Sequence, residues 1–143
     1  MQRIILGSDH RGFLLKSFLI KFLKDSKVNI VDCGANASGL SVDYPDIAYK
    51  TAKEVLSNDS MGVLICNSGI GMSIAANRIR GIRAALCRTV KDAKLARKHN
   101  NANILVLGSA SISESKTTKI MNAFLSTKFE GGRHEERIKK LEG

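Results

Sequence analysis

Five short apolar runs alternate with five amphipathic segments, and that alternation restricts the fold more than any other property of the chain. The runs are Arg3 to Leu6, Val28 to Val31, Val63 to Ile65, Ile82 to Leu86 and Ile104 to Leu107. Between about Gly12 and Lys24, Leu14, Leu15, Phe18, Leu19, Phe22 and Leu23 recur at helical spacing. The stretch Ser41-Val42-Asp43-Tyr44-Pro45 starts a helix that runs to about Leu56, and another is predicted from Ile70 to about Arg78. Thr89 can cap a helix reaching about Lys98, and Ser113 one reaching about Leu125. A final charged helix begins near Arg133.

Strands that alternate with helices predict βαβ units and a parallel sheet with helices on both faces. Right-handed crossovers follow almost by default. The expected architecture is α/β: a Rossmann-like three-layer αβα sandwich with a five-stranded parallel sheet and an extra C-terminal helix. In such sheets ligands sit outside the carboxyl ends of the strands. That rule selects Asp9-His10, the stretch Cys66 to Gly71, and the loop after Leu107. With no internal repeat or linker, residues 1–143 are expected to form one domain, long enough to bury a core.

Composition narrows the partners. The formal net charge is +10, which favours anions. No Lys/Arg block suits a nucleic-acid tail, and with no Trp and two Tyr there is little to stack bases on. Phosphorylated metabolites are the better match, and no nucleic-acid partner is expected. The most apolar early segment, Phe13 to Leu23, is interrupted by Lys16 and Lys21. No membrane span or secretory signal is therefore expected. Cys33, Cys66 and Cys87 are odd in number and match no zinc spacing, which reads as reduced thiols in a cytoplasmic protein.

Residues 66–71, Cys-Asn-Ser-Gly-Ile-Gly, join a buried-strand run to a helix start. Gly69 and Gly71 let the backbone approach a ligand, and the helix start supplies free N–H groups. A thiol and a hydroxyl beside such donors are the parts needed to move a proton and hold an oxyanion. Cys66 also fits as a small buried hydrophobe. The glycine pattern is neither a dinucleotide fingerprint nor a phosphate-binding P-loop. Asp9-His10 can hold a hydroxyl and donate to a phosphate, or cap a helix and expose a histidine. His99-Asn100, expected just after the fourth helix, suits acid/base work or marks an ordinary helix stop. Arg133 and Arg137 lie at i and i+4 and repel each other unless an anion lies between them. The same run also fits a solvated charged tail in which Glu135 pairs with Lys139 and Glu136 with Lys140. That helix has few apolar residues, chiefly Ile138 and Leu141, and must lean on another surface, such as that of a second subunit. No cluster has metal-ligand spacing, so catalysis without metal or cofactor is expected.

These residues resemble the type B ribose-5-phosphate isomerases, a family that also holds galactose-6-phosphate and allose-6-phosphate isomerases. The matching pieces are Gly-Ser-Asp-His at 7–10, Asp-Tyr-Pro at 43–45 and Ile-Cys-Asn-Ser-Gly-Ile-Gly-Met-Ser-Ile-Ala-Ala-Asn at 65–77. They continue with Gly-Ile-Arg-Ala at 81–84, Arg-Lys-His-Asn at 97–100, Asn-Ile-Leu-Val-Leu-Gly-Ser at 103–109 and Glu-Gly-Gly-Arg-His at 130–134. Together they span almost the whole chain in family order. The resemblance implies a homodimer or tetramer with a site shared between subunits. It implies metal-free interconversion of ribose 5-phosphate and ribulose 5-phosphate, a step of the pentose phosphate pathway.

By the same resemblance Cys66 is the base that carries the proton between carbons 1 and 2. Ser68 relays protons among the sugar oxygens, and N–H groups around Gly69, Ile70 and Gly71 hold the enediolate oxygen. His99 and Asp9 assist ring opening, and Asn100 binds a sugar hydroxyl or the enediolate. His10, Arg133 and Arg137 grip the phosphate. Three departures stand out. Some relatives carry a glutamate base where this chain has Met72, which points back to Cys66. The family often has Gly-Thr at Asn67-Ser68, so the hydroxyl is kept and Asn67 adds a polar group near the ligand. Many members have an arginine at Ala110, and its loss shifts weight to Arg133 and Arg137. The Gly-Gly-Arg-His stretch argues against the galactose type, and an isomerase of a 6-phosphorylated hexose is the alternative. A non-catalytic sugar-phosphate-binding module is the third possibility.

Overall fold

The computed structural model describes residues 2–143. Its elements are β1 (Arg3–Ser8), α1 (Phe13–Lys24), β2 (Asn29–Asp32), α2 (Tyr44–Ser57), β3 (Met61–Cys66) and α3 (Ile70–Ala76). They continue with β4 (Ala84–Leu86), α4 (Val90–Asn100), β5 (Ile104–Gly108), α5 (Glu114–Ser126) and α6 (Arg133–Leu141). All strand pairings are parallel, in the order β2-β1-β3-β5-β4. The expected three layers are present. Strand residues alternate between two apolar clusters because side chains on a strand point to opposite faces in turn. Ile4, Leu6, Val63, Ile65, Leu105 and Leu107 join Leu19 of α1, Ala93 of α4 and Phe124 of α5 on one face. Ile5, Leu64, Ile104 and Val106 join Ala52 of α2 and Met72 of α3 on the other.

That division fixes the site's location. The chain leaves β1 toward α1 on one face and leaves β3 toward α3 on the other. β1 and β3 are neighbours, with Ser8 level with Ile65. The two loops therefore diverge and open a crevice at the carboxyl edge, the place where doubly wound sheets bind ligands.

Local chemistry accounts for most element boundaries. Thr89 Oγ1 accepts from Asp92 N at 3.0 Å, and Ser113 Oγ accepts from Lys116 N at 3.1 Å, so both expected caps form. β4 is shorter than expected and starts at Ala84. Its partner strand begins only at Ile104, and Asn103 Oδ1 takes the Arg83 N–H at 2.8 Å in place of a strand bond. α2 begins at Tyr44, after Ser41 and Val42, with Pro45 in its first turn, where a missing N–H costs nothing. α3 stops at Ala76, and the Asn77 side chain exchanges two hydrogen bonds with the Ala84 backbone.

One residue and one ion pair depart from expectation. Lys16, a polar break in the sequence, is fully buried on α1. Its Nζ lies 2.6 Å from both Asp32 Oδ1 and the Ala35 carbonyl, tying α1 to the loop after β2. α6 leans on its own chain. Glu142, just past its end, accepts from Arg83 Nη1 at 3.1 Å and from Gly81 N at 3.0 Å. The ion pair on its surface joins Glu136 to Lys139 at 3.7 Å, rather than the i,i+4 partners expected. Among the described residues, no helix is long and apolar enough to cross a membrane.

Candidate active site

Asp9 follows β1 directly and is buried. Its N–H donates to the Ile65 carbonyl at 3.2 Å, which seats it beside Cys66. Its Oδ1 accepts from both Arg11 N and Gly12 N at 3.0 Å, a local turn that leads the chain into α1. Gly12 is required there, since a Cβ would lie 2.4 Å from the Ile65 carbonyl oxygen. Asp9 thus closes a turn ahead of α1, whose N-cap is Gly12, and its Oδ2 takes no hydrogen bond among the described residues. His10 Nδ1 accepts from Val42 N at 3.3 Å. That bond uses the ring's lone pair on Nδ1, so in the neutral ring the proton sits on Nε2, a donor for an anion or hydroxyl.

Cys66 ends β3 with its side chain only 5% exposed. Gly69 N donates to its Sγ at 3.2 Å, so the sulfur acts as an acceptor at the positive end of α3. Ser68 Oγ accepts from Ile70 N at 3.2 Å and keeps its hydrogen for donation. Of the three N–H groups expected to hold an oxyanion, those of Gly69 and Ile70 are therefore engaged inside the loop. Gly71 N–H is the one without a partner among the described residues. Asn67 is exposed, and its carbonyl accepts from Ala110 N at 3.0 Å.

Two contributors escaped the sequence reading as site residues. Ser109 Oγ donates to the Arg11 carbonyl at 3.1 Å and to the Cys66 carbonyl at 3.3 Å, joining the loops after β1, β3 and β5. Gly108 permits that approach, because a Cβ there would lie 2.5 Å from the Ser68 carbonyl oxygen. Tyr44 packs its ring against Gly71, where a Cβ would lie 2.7 Å from the ring. The signal available for both was their place in quoted motifs, since neither spacing nor polarity singles them out.

His99, Asn100, Arg133 and Arg137 lie elsewhere. α4 starts past the carboxyl end of β4 and returns to the start of β5, so its last residues reach the amino edge of the sheet. His99 and Asn100 are in that last turn, inside α4 rather than after it. The Asn100 carbonyl accepts from Arg83 Nε at 3.0 Å, just ahead of β4. β5 alone, five residues at about 3.3 Å each, separates the two edges by roughly 15 Å. Arg133 and Arg137 are exposed on α6, which packs beside α4. One chain therefore cannot bring these four residues to Cys66. Cavities of about 610 and 620 Å³ also open on the amino-edge side, the second lined in part by Asn100, Leu141 and Glu142. Neither includes Asp9 or Cys66 in its lining.

Sequence spacing also missed a cluster at that edge. His99, Glu130 and His134 hold their ligand-capable atoms within 4.8 Å of one another. They come from α4, the α5–α6 connection and α6, so the motifs at 97–100 and 130–134 hold all three residues without showing that they meet.

Comparison with known proteins identifies the family. A family model described as Ribose/Galactose Isomerase matches residues 4–141. The chain belongs to the ribose/galactose isomerase family. It is 38% identical over 142 residues to ribose-5-phosphate isomerase B of Escherichia coli, covering 99% of this chain and 95% of that protein. Its fold matches the crystal structure of a ribose 5-phosphate isomerase from Thermotoga maritima with a TM-score of 0.96. That pair is 48% identical, over 99% of this chain and 97% of the other. The ribose-5-phosphate isomerase B of Mycoplasma genitalium, solved with bound ribulose-5-phosphate, matches with a TM-score of 0.94. It is 43% identical, over 98% of this chain and 93% of that one. Within the family, this member carries its thiol, hydroxyl and carboxylate at the β1/β3 crevice and its histidine–arginine face at the opposite edge.

Proposed function

We propose that the protein interconverts ribose 5-phosphate and ribulose 5-phosphate through an enediolate. The observation that carries this is Cys66, buried at the β1/β3 switch point between Asp9 and Ser68. Cys66 takes the proton from carbon 2 of the open aldose and returns it to carbon 1. Ser68 passes the hydroxyl proton from oxygen 2 to oxygen 1, and Gly71 N–H faces the oxygen that gains charge. The step balances with no metal, redox partner or net proton. Asp9 Oδ2 and His10 Nε2–H bind sugar and phosphate oxygens from the same side.

The active unit is a homodimer or a larger even oligomer in which a second copy completes each site. Its His99 opens the sugar ring with Asp9, its Asn100 binds a sugar oxygen, and its Arg133 and Arg137 grip the phosphate. The roughly 15 Å between the two edges supports this sharing, because a pentose phosphate cannot reach both edges of one chain. Phosphate binding at the far end then restricts the reacting carbons, and the second copy excludes water.

The deciding experiment measures isomerisation of ribose 5-phosphate beside 6-phosphorylated allose and galactose. Turnover highest on the pentose is expected, and turnover confined to a hexose phosphate would overturn the assignment. Exchange of the carbon 2 proton with solvent separates an isomerase from a protein that only binds the sugar.

A further inference from the structure

On the reading of His99 as the group that opens the sugar ring, we propose that Glu130 and His134 are positioning residues for it. His99 is half-buried in the last turn of α4. His134, in the first turn of α6, is 7% exposed. The two rings stack with centroids 4.4 Å apart and planes 16° apart, so one face of His99 is covered by a second imidazole. Glu130 stands between their edges, with Oε1 3.8 Å from His99 Nε2 and 3.7 Å from His134 Nε2. Its backbone N–H donates to the Lys98 carbonyl at 3.1 Å, so the carboxylate is anchored to the helical turn that carries His99.

A phenyl ring would stack as well, whereas His134 Nε2 is buried without a hydrogen bond, which is costly. Its neighbour is the Glu130 carboxylate, too far for a hydrogen bond and near enough that a small side-chain rotation closes either gap. One carboxylate thus serves two imidazoles. The charged groups facing His134 are His99 on α4, Arg133 and Arg137 on α6, and Glu130 on the connection. Burial first, then His99 and the arginines, hold His134 below its ordinary 6.5, and Glu130 alone opposes. His134 therefore stays neutral, a flat uncharged support. Glu130 remains free as the counter-charge for His99 when that ring takes a proton.

The test compares wild-type enzyme with Glu130→Gln, His134→Phe, His134→Ala and His99→Ala, by pH-dependent kinetics and by NMR of the His99 ring protons. Glu130→Gln is expected to lower kcat about tenfold with KM within about twofold. The pH–rate profile of Glu130→Gln should differ from that of wild type, since the carboxylate beside the His99 edge is gone. His134→Phe should keep the ring-current shift on His99 and keep kcat within about threefold. His134→Ala should lose the shift and about tenfold in kcat. A crippled His99→Ala beside wild-type kcat, pH profile and His99 resonances in Glu130→Gln and His134→Ala would overturn the positioning role alone. Wild-type turnover in His99→Ala would instead overturn the ring-opening role on which it rests.

Discussion

Ser109 donates its backbone N–H to the Cys66 carbonyl at 2.9 Å, and its hydroxyl reaches the same oxygen and that of Arg11. This serine is thus the keystone of the carboxyl edge. The thiol sits at a strand end whose carbonyl is held from β5, so the loop that follows starts from a fixed point.

The proposed mechanism makes Cys66 the base. Cys66→Ala and Cys66→Ser should each lower kcat by a factor on the order of 10² to 10⁴. Cys66→Ser leaves packing nearly unchanged, so its urea midpoint should match wild type. Near wild-type turnover in both variants would remove Cys66 as the base.

The proposed sharing of the site between copies makes a complementation prediction. Cys66→Ala and His99→Ala should each be inactive alone. Unfolded together and refolded as a mixture, they should recover about a quarter of wild-type activity, because mixed dimers hold one intact site. Recovery of nothing, with mixed dimers verified by native mass spectrometry, would mean that each chain builds its own site.

Arg137 is an exposed cation on α6 assigned to substrate phosphate. Arg137→Ala should raise KM more than it lowers kcat, the signature of lost uniform binding. Its effect should shrink for substrate analogues that lack the phosphate. A fall in kcat at constant KM would contradict that role.

Lys16 is buried and bonded to Asp32 and the Ala35 carbonyl. Lys16→Met keeps the length of the side chain and removes both bonds, so it should cost about 1–3 kcal/mol in urea unfolding. An unchanged midpoint would show that the loop after β2 does not depend on this link.

Three groups set the pH range of stability. Burial pushes the Cys87 thiol up to about 12, with Asp92 adding to the rise, and burial also raises the Cys33 thiol. Unfolded thiols ionise near 9.0, so above that pH the unfolded state releases protons that the native state keeps. Stability should fall as pH rises from there toward 12. His134 is held below 6.5 by burial, so below that pH the unfolded chain binds the extra proton and stability should also fall. Urea midpoints at pH 5.5, 7.5 and 10 should be highest at about 7.5. His134→Phe should flatten the acid side, and an acid side unchanged by it would contradict the assignment.

Much of the fold was legible in the sequence because its signals are local. Helical spacing in α1, the caps at Thr89 and Ser113, and the glycine after β5 act within a few residues and survive in the folded chain. The stretch 66–71 was legible as a strand end, loop and helix start for the same reason. Other features were invisible because they depend on distant partners. β4 lost two expected residues because the Asn103 side chain takes the Arg83 N–H, and Lys16 looked like a polar break until Asp32 and Ala35 came to meet it. The stack of His134 on His99 joins two helices through a connection that carries Glu130.

By itself, then, the sequence determined the alternation of strands and helices, the site-bearing loop at Cys66 and the family motifs, since each is encoded over short spans. Tertiary structure alone decided the order β2-β1-β3-β5-β4 and the delivery of His99, Asn100, Arg133 and Arg137 to the opposite edge of the sheet. In a parallel sheet every connection must return across the sheet, so a loop after a strand and the end of the helix that follows it arrive at opposite edges. That requirement sets Cys66 and His99 apart within one chain, although the sequence offers both as parts of a single site.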